Sequence, residues 1–212
     1  MRYYSYSDFL KEYFGEKIYK ISLNAGFSCP NRDGTISTGG CIFCSEGGSG
    51  DFAANRSLSI TDQINIGKIQ TAAKFKNGRY IAYFQAFTNT YAPVEILRAR
   101  YQEALTHPDI AAISIATRPD CLSSEILDLL CECLTQKPVF VELGLQTIHD
   151  KTAQLINRGY HTPVFDQAVY ALKERGIRVT AHMILGLPGE TKEMQLATID
   201  HINALPVDGI KL

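Results

Sequence analysis

Short apolar runs alternate with longer amphipathic segments along most of the chain. The short runs are rich in β-branched or aromatic residues, which favours strands. Six strands are predicted, at Ile18 to Leu23, Tyr80 to Phe84, Ile110 to Ala116, Val139 to Leu143, Val179 to Leu185 and Gly209 to Leu212. Strands that alternate with helices of this length predict βαβ units and a parallel sheet.

The amphipathic segments predict four helices. Pro93 suits the first turn of a helix whose apolar face carries Leu97 and Tyr101. The other predicted helices are Ile126 to Leu134, Thr162 to Gly176 and a segment from near Thr191 to Pro206. The expected fold class is α/β. Unusual polar residues in the loops after the strands favour a partial (β/α)6 TIM-type barrel with its site at the carboxyl ends of the strands, and a doubly wound sheet is the alternative.

Charge and hydropathy narrow the class of protein. The 212 residues include 21 basic and 22 acidic side chains, a formal net charge of −1, so no overall basic field would hold a polyanion. A local basic patch remains open. No apolar run approaches the ~18 residues of a membrane helix, and the first residues form no apolar signal segment. We therefore expect a cytoplasmic protein that does not associate with a membrane.

Two parts are predicted along the chain. Residues 1–17 form an aromatic extension that includes Tyr3, Tyr4 and Tyr6, and we expect it to cap the barrel, with stacking on nucleic-acid bases as the alternative. Residues 18–212 form the barrel. Because Val207 to Leu212 resembles a parallel strand that has just begun, we expect the chain to be cut within or just after the sixth strand.

The cysteines carry the candidate chemistry. Six cysteines without an export signal indicate metal ligands or buried thiols rather than disulfides. Cys29, Cys41 and Cys44 lie in the long loop after the first predicted strand, with the spacing C-x11-C-x2-C. A closed zinc site needs four ligands, and no further cysteine or histidine lies near this loop in sequence. Three thiolates suit an iron–sulfur cluster with one open iron, while zinc and inert thiols remain alternatives.

The cysteine loop, with Phe43 directly before Cys44, resembles that of radical S-adenosylmethionine (radical SAM) enzymes. Its spacing departs from the family's commonest C-x3-C-x2-C and is similar to the long-loop variant of the Elongator-catalytic-subunit-like branch. The resemblance to the bacterial YhcC-type group within this branch runs from Tyr3 to the end of the chain. Its further motifs are Ala116 to Asp120, Glu142 to Thr147, Asn157 to His161 and Met183 to Glu190.

This resemblance implies a mechanism and partners. The three cysteines would hold a [4Fe-4S] cluster whose open iron binds S-adenosylmethionine. One electron would cleave this cofactor to a 5′-deoxyadenosyl radical, which abstracts hydrogen from the substrate. A flavodoxin or ferredoxin is the expected electron donor, and tRNA, modified at its wobble uridine, is the expected substrate. A small-metabolite radical SAM enzyme and a non-catalytic, zinc-stabilised binding module are the alternatives.

The resemblance also implies residues that bind the cofactor. Phe43 occupies the position that packs beside adenine. The family has a Gly-Gly-Glu-like segment after its second strand, whereas this chain has neither residue type there, and Gln85 and Thr88 would supply oxygen acceptors instead. Ile184 and Gly186 match a motif that packs on adenine after the fifth strand.

Polar residues near the ends of the third and fourth predicted strands are further candidates. Thr117 and Arg118 would face the mouth of the barrel, where the guanidinium can pair through two hydrogen bonds with the carboxylate of S-adenosylmethionine or of the substrate. A role in closing the strand end is the alternative. Alternation places Glu142 and Gln146 on one face of an otherwise apolar strand. Because polar groups in such a strand are costly unless paired, we expect both to contact the cofactor. His182 is predicted to be a core histidine or a substrate contact. Cysteines outside the loop are expected to pack as thiols; they are Cys121, Cys131 and Cys133.

Overall fold

A computed structural model describes residues 3–45, 53–75 and 78–212. The strands within these ranges are β1 (Tyr19–Leu23), β2 (Tyr80–Phe84), β3 (Ile110–Thr117), β4 (Val139–Gln146), β5 (Arg178–Met183) and β6 (Gly209–Lys211). The α-helices are α1 (Tyr6–Phe14), α2 (Ile60–Thr71), α3 (Val94–Thr106), α4 (Ser124–Leu134), α5 (Asp150–Leu155), α6 (Thr162–Glu174) and α7 (Lys192–Asn203). Among these described helices, none has the length and apolar character needed to cross a bilayer.

The six strands form one parallel sheet in the order β1-β2-β3-β4-β5-β6, as the alternating pattern predicts. Lys20 on β1 and Lys211 on β6 both contact the carboxylate of Glu142 on β4. In a flat sheet β1 would lie about 14 Å from β4, because neighbouring strands are about 4.8 Å apart. The sheet is therefore curved into part of a barrel, with its two edge strands turned toward the same interior.

Alternation along the strands separates the barrel interior from the helix-facing core. On β3, Ile113 and Ile115 are fully buried in the main hydrophobic core, which includes residues of α3, α4 and α6. Ser114 lies between them and points to the other face, where it bonds to Glu142. The apolar helix-facing side thus holds the sheet together, and the opposite side is free to carry polar groups.

Helix α1 closes the amino end of the curved sheet. Its first turn is capped by Ser5, whose hydroxyl accepts a hydrogen bond from the backbone N–H of Asp8 at 3.1 Å. The ring of Phe9 packs edge-on against Phe140 at the start of β4, with centroids 6.2 Å apart. The guanidinium of Arg178 at the start of β5 lies 5.3 Å from the centre of the Phe9 ring. The carboxyl ends of the strands are left for the functional site.

Two strands end two or more residues away from the predicted position. Strand β4 continues to Gln146 rather than ending at Leu143, because its pairing with β5 resumes after a register irregularity, with Gln146 opposite Met183. Strand β5 ends at Met183 rather than Leu185, since the chain turns at Gly186, whose φ is 74°.

Helix α2 is absent from the sequence prediction, as is the short α5. The buried face of α2 consists of Ile60, Gln63, Ile64 and Gly67, so that only half of it is clearly apolar. A Cβ atom on Gly67 would lie 2.4 Å from a methyl carbon of Ile21, so glycine permits the close approach of α2 to β1. The amphipathic pattern of α2 is weak because close packing against β1 requires glycine on its buried face.

Candidate functional site

One cavity of about 390 Å³ lies at the carboxyl ends of the strands. Cys29, Cys41 and Cys44 all border it. Cys29 is buried, and the other two are half-buried. The fold therefore brings together the three thiols that the sequence singled out, although Cys29 is distant from the others along the chain.

The amide of Asn31 fixes the cysteine loop to the segment that follows α5. Its Nδ2 donates to the backbone carbonyls of Asn157, at 2.6 Å, and Arg158, at 3.2 Å, and lies 3.4 Å from the Cys41 sulfur. In return, Nδ2 of Asn157 donates to the carbonyl of Gly40 at 2.9 Å. These reciprocal bonds set the position of the Cys41 thiol.

Arg32 holds the other end of the same loop. Its Nη2 donates to the carbonyls of Cys44 and Ser45 at 3.2 and 2.6 Å. A hydrogen bond from Cys41 lowers the pKa of the Cys44 thiol to about 7, with help from the charge of Arg32 and against the effect of burial. The same bond and burial raise the pKa of Cys41. Cys44 is thus readily converted to the thiolate, the form that binds metals.

The donor set fits an iron–sulfur cluster. Among the described residues, no three His, Cys, Asp or Glu side chains lie close enough together to hold a single metal ion. A [4Fe-4S] cluster has one ligand on each of its four irons, so its thiolates surround a wider space than the ligands of one zinc ion. Cys29, Cys41 and Cys44 border one cavity, and their three thiolates would leave one iron of such a cluster without a protein thiolate.

Two arginines and a tyrosine stack beside the thiols. The guanidinium groups of Arg118 and Arg158 lie over the ring of Tyr160, at 4.8 and 4.7 Å from its centre. The Tyr160 hydroxyl donates to the carbonyl of Gly144 at 2.8 Å and lies 3.1 Å from Oε1 of Gln146. The stack therefore fixes the carboxyl end of β4 at the edge of the cavity.

Arg118 already pairs with a carboxylate of the chain. Its Nε and Nη2 donate to the two carboxylate oxygens of Asp120 at 2.9 and 2.6 Å, and its Nη1 donates to the carbonyl of Arg158 at 2.9 Å. Burial opposes its charge, but Asp120 outweighs burial and raises the pKa of Arg118. The two-bond pair that the sequence predicted with a carboxylate of S-adenosylmethionine or substrate is made with Asp120 in this structure, and contact of Arg118 with either ligand stays a prediction. Thr117 beside it bonds to the hydroxyl of Thr90.

Glu142 is the centre of a buried polar cluster. Its Oε1 accepts from Lys20 and, at 3.0 Å, from Ser114. Its Oε2 accepts from Lys211 at 2.9 Å and lies 2.7 Å from Nε2 of His182. Burial alone would raise the pKa of Glu142, but the His182 bond and the two lysine charges outweigh it and lower the pKa. Both carboxylate oxygens are therefore engaged by the protein, and contact with the cofactor stays a prediction.

Most other predicted site residues also border the cavity, although their roles stay predictions. They are Phe43, Gln85, Thr88, Thr117, Gln146 and Ile184. Gly186 is not part of the described cavity wall.

Several residues of this site were not singled out from the sequence. Tyr160 and Arg158 belong to a motif that the resemblance noted without assigning any role. Lys20, Tyr83 and Lys211 enter the Glu142 cluster from three different strands. The available signal was a lysine at an alternating position within an apolar strand, where it must find a partner.

Gly159 permits the side chains of Asn31 and Arg118 to approach its backbone closely. Its φ is 83°, and a Cβ there would lie 2.6 Å from Oδ1 of Asn31. We expect Gly159→Ala to lower the free energy of unfolding by about 3 kcal/mol, with about 1 from the positive φ and about 2 from overpacking. Gly15→Ala is the control, since Gly15 has a φ of 70° and no neighbour within 4 Å of the added atom. Equal losses for both variants in urea titrations would contradict this packing account.

Comparison with known proteins assigns the family. The Radical SAM superfamily matches residues 31–202, and the chain belongs to this superfamily, as the resemblance predicted. Cys41 and Cys44 lie inside the matched range, and Cys29 lies two residues before it. Proteins of this superfamily use a [4Fe-4S] cluster and S-adenosylmethionine.

The chain is 48% identical over 211 residues to the uncharacterized protein YtqA of Bacillus subtilis, covering 100% of this chain and 66% of YtqA. It is 44% identical over 201 residues to YhcC of Escherichia coli K12, covering 94% of this chain and 63% of YhcC. The chain thus spans about two thirds of the length of these relatives. A shorter match, 37% identical over 84 residues, covers 39% of this chain and 15% of a tRNA uridine(34) acetyltransferase from Methanocaldococcus infernus.

Solved structures share the fold. Elp3 of Methanocaldococcus infernus superposes with a TM-score of 0.63 at 18% identity, over 91% of this chain and 44% of Elp3. TsrM of Kitasatospora setae, solved with cobalamin and a [4Fe-4S] cluster, gives a TM-score of 0.57 at 17% identity, over 96% of this chain and 35% of TsrM. The prediction of an α/β, TIM-like partial barrel is confirmed.

Proposed function

We propose that this protein is a radical SAM enzyme whose cluster is held by Cys29, Cys41 and Cys44. The observation that carries the proposal is that three thiols border one cavity in a chain of this superfamily. When bound, the cluster and S-adenosylmethionine supply a 5′-deoxyadenosyl radical that removes hydrogen from an unactivated carbon. The protein's own residues position the cluster ligands and line the cavity in which the reactants would bind.

The cavity walls support assigned roles for the cofactor-binding residues. Phe43 lies in the cysteine loop beside the thiols and offers an aromatic face to the adenine. Gln85 and Thr88, after β2, offer oxygen acceptors to the amino group of the methionine moiety. Ile184, after β5, supplies an apolar contact. These side chains border one cavity from different elements, so a single ligand in the cavity can contact all of them.

The proposal is tested by anaerobic reconstitution with iron and sulfide, followed by chemical reduction in the presence of S-adenosylmethionine. We expect 5′-deoxyadenosine and methionine as products. Intact S-adenosylmethionine after reduction of a loaded cluster would contradict the assignment. A protein that takes up zinc and no sulfide would instead support the zinc-stabilised binding module.

We further propose that the reaction serves modification of the wobble uridine of tRNA in the cytoplasm, with a flavodoxin or ferredoxin as electron donor. The partial match to a tRNA uridine(34) acetyltransferase supports this substrate class. Nucleosides of tRNA from cells with and without the gene provide the test. We expect one modified uridine to be lost, whereas an unaltered profile would exclude tRNA and favour a small metabolite.

A further inference from the structure

Six strands each direct one polar side chain to the same level of the barrel interior, below the cysteine loop. They are Lys20 on β1, Tyr83 on β2, Ser114 on β3, Glu142 on β4, His182 on β5 and Lys211 on β6. Polar groups inside the barrel require hydrogen-bonding or charged partners, because burying them without such partners costs free energy. We refer to these six side chains as the polar layer.

The charges of the polar layer do not balance. The layer contains one carboxylate and two ammonium groups. Lys20 binds Oε1 of Glu142, does not border the cavity, and has about a quarter of its side chain exposed. Lys20 therefore serves as the counter-ion of Glu142. This leaves the ammonium of Lys211 as surplus positive charge.

The surplus charge faces the cavity. Lys211 borders the cavity together with Tyr83 and His182. Its Nζ uses two donors, to Oε2 of Glu142 at 2.9 Å and to the Tyr83 hydroxyl at 3.1 Å, and one donor remains. Glu142 is the one acidic side chain among the described residues of the cavity wall. The remaining N–H of Lys211 is therefore available to an anion that enters the cavity.

The geometry leaves room for the body of a small molecule above this charge. Glu142 lies four residues before Gln146 on β4, and Gln146 is the residue whose side chain meets Tyr160. The carboxylate of the polar layer is therefore displaced toward the amino end of β4 from the Arg118–Tyr160–Arg158 stack. An anion bound to Lys211 would be separate from the groups that surround the cluster.

We propose that Lys211, Tyr83 and His182 form a substrate subsite for a carboxylate or phosphate group, so that the molecule that loses hydrogen is a small acid anchored at the floor of the cavity. Glu142 is a positioning residue in this account, because it orients Lys211 and His182 and has no free acceptor. The inference rests on the proposed radical chemistry for its location and holds whether or not the product is attached to tRNA.

Anion binding to the cluster-loaded protein in the presence of S-adenosylmethionine tests the subsite. Malonate and inorganic phosphate serve as probes, and chloride at equal ionic strength is the reference. A ligand of the native state raises the melting temperature in a saturable way, which yields an apparent Kd. We expect Lys211→Met to weaken this Kd by about ten-fold or more, the loss of one charge-assisted bond. Lys151→Met, which removes an exposed lysine on α5, should leave it unchanged.

Tyr83→Phe provides a second variant that keeps every charge, and we expect it to weaken the same Kd by a smaller factor. Binding of malonate alone would identify a carboxylate substrate, and binding of phosphate alone a phosphate ester. No saturable binding, or equal binding by wild type and Lys211→Met, would overturn the subsite. The wild-type protein is assayed in parallel for cleavage of S-adenosylmethionine, so failure of the subsite and failure of the proposed function give different results.

Discussion

Replacing Cys41 with alanine should abolish cluster binding and reduce formation of 5′-deoxyadenosine to the background of the assay. Cys41 is one of three thiols on the cavity wall, and Asn31 contacts its sulfur. A cluster with only two protein thiolates loses a ligand that no neighbouring residue can replace, because no further cysteine borders the described cavity. Iron content, the visible absorbance of the cluster and product formation are the measurements.

Cys131→Ala is the matched control for this prediction. Cys131 is half-buried on helix α4 and does not border the cavity. Alanine is a good helix former, so this variant should fold and bind the same amount of iron as the wild type. Normal absorbance in Cys41→Ala, or equal losses in both variants, would contradict the assignment of the three ligands.

Removing the charge of Glu142 should cause a large loss of stability. The carboxylate is 2% exposed and has four partners, including both lysines of the polar layer. Glu142→Gln leaves two ammonium groups close together without their counter-ion. Breaking a buried ion pair in this way costs about 3–5 kcal/mol, and we expect about 3 because Lys211 is half exposed. Denaturant titration measures the change.

Ser114→Ala is the control for the Glu142 variant. It removes one neutral donor to the same carboxylate and leaves every charge in place, so we expect a loss of about 1.5 kcal/mol. A loss in Glu142→Gln no larger than that in Ser114→Ala would show that the polar layer is not held together by charge.

The pH dependence of stability provides a further check on Glu142. Its pKa is lowered in the folded protein by His182, Lys20 and Lys211. The unfolded chain therefore binds the proton more tightly, and the stabilisation is fully present above the unfolded pKa of about 4.3. It is lost as the pH falls from that value toward the folded pKa. The wild type should lose stability more steeply than Glu142→Gln in this acidic range, and parallel pH curves would contradict the predicted shift.

The sequence predicted the sheet and the thiols because both depend on local patterns. Apolar runs at regular intervals indicate parallel strands whichever way the sheet curves. The spacing of Cys29, Cys41 and Cys44, in a loop after a strand, indicates a shared site at the carboxyl end of the sheet. The cysteine spacing alone did not distinguish an iron–sulfur cluster from zinc. The resemblance to a known family then predicted the cluster.

The polar layer could not be predicted in the same way. Lys20 and Lys211 are 191 positions apart and lie on opposite edges of the sheet, and they meet at Glu142 because the sheet curves. The sequence favoured a barrel, but which side chains of distant strands meet inside it depends on the packing of all the strands and helices. Alternation correctly placed Glu142 on the inner face, but only the structure shows that its partners come from the protein.

The contacts near Arg158 are a second feature that the sequence could not predict. Asn31 and Tyr160 act through backbone carbonyls and through stacking, and these contacts follow from the path of the chain rather than from residue type. Gly159 indicates the constraint most clearly, because its positive φ and its contact with Asn31 both exclude a side chain. A glycine in the sequence gives no hint of which neighbour requires it.

The most direct test of the account is the metal and sulfide content of the wild-type protein purified without oxygen. A [4Fe-4S] cluster on Cys29, Cys41 and Cys44 predicts about four iron and four acid-labile sulfide per chain. About one zinc per chain with no sulfide would contradict the cluster and the radical chemistry proposed to depend on it.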